Sequence, residues 1–154
     1  MRRGEDAILA DELAALAATT GASRRIARLT AKARGKRVYV TLLTVPLPAA
    51  EAFSRVTEVL EEAGHIVDFT GAGIQNRRPV VRAVTGGGFG RLNPVVVTIT
   101  MTRSTGAATY IRLRATSLEG LLRQHASERT AARIAAALSH GATEPEGPAR
   151  PCMG

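Results

Sequence analysis

The chain has 154 residues, 45% of them apolar and only 3% aromatic, with no tryptophan and a net charge of +8 at neutral pH. That length suits one domain with extensions, and the apolar share suits a core built from Val, Ile, Leu and Ala. The single cysteine, Cys152, excludes an intramolecular disulfide and a thiolate metal cluster. No run approaches the length of a transmembrane helix. Acids at Glu5, Asp6, Asp11 and Glu12 interrupt any signal-peptide core, so a cytoplasmic protein is the expectation.

Residues 5 to 18 read as an acidic helix with the stripe Ile8, Leu9, Leu13 and Leu16. Ser23 then caps a second helix, roughly 24 to 34, whose stripe is Ile26, Leu29 and Ala33. Its other face carries Arg24, Arg25, Arg28, Lys32 and Arg34. An acidic helix followed by a basic one is expected to pair as a hairpin, and both narrow stripes must dock on something.

Val38 to Val45 reads as a strand that is apolar on both faces, which predicts a central or covered position. Pro46 and Pro48 stop it. Ala49 to Ala63 is the clearest helix, with Ala52, Phe53, Val56, Val59, Leu60 and Ala63 on one side and Gly64 closing it. His65 to Thr70 is a short strand, 71 to 78 a loop, and Pro79 to Thr85 a third strand. Gly86 to Gly90 resembles a phosphate loop only in its glycines: no Gly-Lys-Ser/Thr follows, and a strand comes next where a helix N-terminus would be needed.

Val95 to Thr116 organises the rest. Two arms alternate apolar and polar with period two around a connection containing Gly106, which predicts a long β-hairpin. Val95, Val97, Ile99 and Met101 share the core face with Ile111, Leu113 and Ala115. The opposite face carries Thr98, Thr100, Thr102, Tyr110, Arg112 and Arg114 and is expected to be wet. A final helix runs from about Ser127 to Ser139, with Ala131, Ile134, Ala135 and Leu138 inward.

The expected fold is α+β: an antiparallel sheet with helices on one face, in the order β-α-β-β-β-β-α, preceded by an N-terminal helical hairpin. The expected organisation is a helical extension over 1–36, the α+β domain over 37–140, and a proline-bearing disordered tail over 141–154. The stretch Val45-Pro46-Leu47-Pro48-Ala49-Ala50-Glu51-Ala52-Phe53 joins strand, proline turn and apolar helix start. With the element order over 38 to 139, it resembles small helix-grip domains, among them START-type ligand-binding folds and domains of certain outer-membrane-assembly lipoproteins. Unlike those lipoproteins, the chain shows neither a signal peptide nor a lipidated cysteine, and Ser127 to Ser139 is short for a START-type final helix. The resemblance implies a pocket for a small apolar ligand between the sheet and the final helix.

The residues give no positive evidence for an enzyme, and no cofactor is implied. His65, His125 and His140 are scattered without an acid cluster, so no metal site is expected. Asp68 is the one acid between Glu62 and Glu119, and an ion pair with Arg82 or Arg114 is favoured over a general-base role. Residues 13 to 50 and 69 to 118 contain no acid at all, which points to an anionic partner: nucleic acid, an acidic membrane or an acidic protein surface. The candidate anion-binding residues are Arg24, Arg25, Arg28, Lys32, Arg34, Arg112 and Arg114. The apolar-ligand pocket, with or without an enzyme built on it, is the rival reading.

Overall fold

The computed structural model describes residues 4–19, 35–70, 78–87, 93–104, 106–119 and 125–140. In chain order they form α1 (Glu5–Thr19), β1 (Gly35–Val45), α2 (Ala49–Ala63), β2 (Gly64–Thr70), β3 (Val80–Gly87), β4 (Asn93–Ser104), β5 (Thr109–Glu119) and α3 (Ala126–His140). The strands make one five-stranded antiparallel sheet in the order β1-β5-β4-β3-β2. After α1 the order is helix-grip-like, β-α-β-β-β-β-α, and the expected α+β class holds.

The hairpin of β4 and β5 forms the centre of the sheet, as its alternation predicts. Val97 stands opposite Ala115 and Ile99 opposite Leu113, and all of them are buried. Val81 and Ala83 extend this apolar surface through β3, and Val45 extends it at the end of β1. Onto it pack Val56, Val59 and Leu60 of α2 and Ala131, Ile134 and Leu138 of α3. The stripes fall at helical spacing, so each helix buries one side and keeps the other wet. Arg55 ties the two helices, donating from Nη2 to the Ala137 carbonyl at 3.2 Å.

Between α2 and β2 there is no connecting loop. The Gly64 N–H still donates to the Leu60 carbonyl, and β2 begins at that same residue. A Cβ at Gly64 would collide with the backbone carbonyl of Val84, so the close approach of two backbones requires glycine there.

Two expectations are corrected. The strand read as central or covered is an edge strand: among the described residues β1 pairs with β5 alone, and residues 35–40 are exposed throughout. Apolar side chains on both faces say nothing of sheet order, which the connections set. Lys36 and Arg37 at its start place charge on that edge, a common guard against edge-to-edge pairing. The second correction concerns the face read as wet. α1 lies across part of it, burying Ile8 and Leu9 against Val84, Val96 and Leu118. The second helix of the expected hairpin, the glycine-rich loop at 88–90 and the tail at 141–154 lie outside the described residues.

Candidate functional site

Opposite the α2–α3 layer, the sheet's outer face divides into two parts. In the first, α1 is held by polar contacts as well as apolar ones. Glu5 accepts hydrogen bonds from Thr98 Oγ1 and Thr116 Oγ1, each at 3.0 Å, and pairs with Arg114 Nη2 at 3.3 Å. Both threonines are buried, and the Glu5 side chain is 13% exposed. A carboxylate this enclosed requires such partners, because an unpaired buried charge is costly. Asp6 accepts from Lys36 Nζ at 2.6 Å, and Glu12 lies 3.3 Å from His65 Nε2. Glu5, Asp6 and Glu12 of α1 thus meet the sheet directly. On the same face, Asp68 pairs with Arg82 at 2.9 Å, the first of the two partners expected for it.

In the second part, α1 no longer covers the sheet. Here a groove of about 430 Å³ is lined by Leu42, Leu43 and Thr44 of β1, Thr102 of β4, and Tyr110 and Ile111 of β5. Register explains its composition. Thr44 stands opposite Tyr110, and Leu42 opposite Arg112, so these side chains share the outer face, whereas Leu43 and Ile111, opposite each other, belong to the core face. A register shift between Met101 and Arg103 takes Thr102 out of the regular alternation, and its hydroxyl donates to the Tyr110 carbonyl at 3.0 Å. Leu42 is 74% exposed and Tyr110 43%. Val38 and Val40, on the same face of β1, continue the exposed apolar strip away from the groove.

The seven candidate anion-binding residues fare differently. Arg24, Arg25, Arg28, Lys32 and Arg34 lie outside the described residues. Arg114 is half-buried and engaged by Glu5, whereas Arg112 is exposed beside the groove. Glu5, Leu42 and Thr44 were absent from the candidate set. An alignment of β4 against β5 on their alternation would have placed Thr98 and Thr116 together on one face. No local signal ties Glu5 to residues 93 and 111 positions further along the chain.

The place implied by helix-grip resemblance also has a definite state. In the middle of the layer between the sheet and α3, Ile134 and Leu138 pack with Ile99 and Leu113, each at most 1% exposed, so that part is filled by side chains. Towards the far end of the same face the layer turns polar. Thr85 Oγ1, Asn93 Oδ1 and Ser117 Oγ are buried there without hydrogen-bond partners, and Thr85 and Ser117 both stand opposite Val95.

No protein-family model matches the chain, and no curated protein matches it. Among solved structures, the chain is similar to the Zhui aromatase/cyclase from a Streptomyces strain, at 12% identity and a TM-score of 0.39, over 70% of this chain and 94% of that one. It is also similar to Ara h 8.0201, at 13% identity and a TM-score of 0.40, over 70% of this chain and 98% of that one. A third likeness is to an uncharacterised protein from Rhizobium leguminosarum, at 10% identity and a TM-score of 0.30, over 68% of this chain and 97% of that one.

Proposed function

We propose that this chain is a binding module for a small apolar ligand, seated in the outer-face groove between β1 and β5. The observation that carries the reading is the groove itself: a concavity of about 430 Å³ with the exposed Leu42 and Tyr110 among its lining residues. The volume falls within the roughly 300–1,000 Å³ typical of small-molecule sites. The lining pairs apolar walls with the hydroxyls of Thr44, Thr102 and Tyr110, the usual mixture of burial and orientation in such sites.

The described outer face gives the polyanion reading little to work with. Affinity for nucleic acid comes from cations free to displace counterions. There, Lys36, Arg82 and Arg114 are matched by Asp6, Asp68 and Glu5.

The experiment is a fluorescence titration with the neutral apolar dye N-phenylnaphthylamine. The wild-type chain is expected to bind it with a dissociation constant in the micromolar range, on the order of −8 kcal/mol. Leu42→Thr and Tyr110→Thr should each weaken binding about tenfold, the loss expected for removing roughly 1.4 kcal/mol of apolar contact. Unchanged dye affinity in both variants would remove the groove from consideration.

A further inference from the structure

We infer that the groove takes an amphipathic monocarboxylate, its apolar body on Leu42 and Tyr110 and its carboxylate on Arg112. This rests on the groove reading and adds the chemical class of its ligand. Arg112 is the register partner of Leu42 on β1 and of Thr100 on β4. It lies two residues beyond Tyr110 on β5, so all three side chains leave the same face of the sheet. Directly opposed side chains begin about 5 Å apart, within reach of a long guanidinium arm.

Charge separates Arg112 from the other cations of this face. Arg114, two residues on, is engaged by Glu5. Lys36 and Arg82 have Asp6 and Asp68. Arg112 is exposed and has no carboxylate partner among the described residues. None of the groove's lining residues is acidic. Arg112, the register neighbour of the lining residue Leu42, thus brings to that side of the groove a guanidinium whose forked N–H groups match a carboxylate in two-point geometry. Thr100, on the other side of Arg112, is half-buried and adds a hydroxyl beside the same position.

The complementary ligand has one anionic head and an unbranched or aromatic apolar body. A bare anion leaves Leu42 and Tyr110 uncovered, and a neutral hydrocarbon leaves Arg112 unmatched. An extended polyanion meets a face whose neighbouring cations are already paired.

The test compares decanoate with decanol as competitors of N-phenylnaphthylamine, both below the concentrations at which they self-associate. The informative quantity is the ratio of their affinities, measured in the wild type and in Arg112→Gln. Because Arg112 is exposed, the variant is expected to fold normally, which its circular dichroism and melting curve verify. Replacing Arg112 should shift the ratio against decanoate by about three- to fivefold, the size of an exposed ion pair. Raising the salt concentration should erase the same preference in the wild type. A ratio equal in wild type and variant would overturn the assignment of Arg112 while leaving the apolar groove standing. Failure of the dye and both competitors to bind the wild type would overturn the groove reading and this inference together.

Discussion

Arg114 and Arg112 lie two residues apart on one strand and one face, yet they belong to different surfaces. Around Arg114 the outer face is an interior: α1 covers it, Glu5 is largely withdrawn from water, and Thr98 and Thr116 are buried beneath it. Around Arg112 the same face is open, with Leu42 and Tyr110 exposed and a groove alongside. The sequence pattern is the same in both places, an arginine on β5 opposite a threonine on β4. What differs is whether a helix from the far end of the chain reaches that far. A polar alternation thus reports a face that is not in the main core, and a distant element then decides whether it is solvated.

The covered half depends most on Glu5. Glu5→Ala should cost about 2–4 kcal/mol, because it strands two buried hydroxyls and a half-buried guanidinium at once. Glu5→Gln keeps an acceptor for the threonines and should lose about half as much. Urea denaturation measures both. A loss below about 0.5 kcal/mol for Glu5→Ala, the range of ordinary surface substitutions, would mean that α1 is not held on the sheet in solution.

A smaller effect sharpens the contrast within β5. Arg114→Thr should destabilise by about 1–2 kcal/mol, because it leaves the enclosed Glu5 carboxylate without its cation. Arg112→Thr, exposed and without a carboxylate partner, should stay within about 0.5 kcal/mol. Equal losses in thermal or urea unfolding would erase the distinction between the two halves.

Local patterning made much of this fold legible. The period-two runs identify the β4–β5 hairpin and its buried side, from Val95 through Met101 and from Ile111 to Ala115. The stripe from Ala52 to Leu60 and the glycine at 64 mark α2 and its end. The Asp68–Arg82 pair was recoverable because that acid has few cations within strand reach. The rest lies in contacts that local patterns do not carry. β1 looks central because its residues are apolar on both faces, but the chain connections leave it at the edge. Glu5, Asp6 and Glu12 meet Arg114, Lys36 and His65 on the sheet, pairs that no local pattern announces, while the basic segment lies outside the described residues. The groove was illegible for the same reason, since it begins where α1 stops covering the sheet.

The proposed ligand surface is the uncovered half of the outer face. The measurement that tests it most directly is amide chemical-shift mapping of the full chain during titration with N-phenylnaphthylamine. The largest shifts should fall on Leu42, Leu43, Thr44, Thr102, Tyr110 and Ile111, with Thr98 and Thr116 beneath α1 little changed. Shifts concentrated on Thr85, Ser117, Ala126 and Ile134, between the sheet and α3, would rule out the groove and place the ligand inside the helix-covered layer.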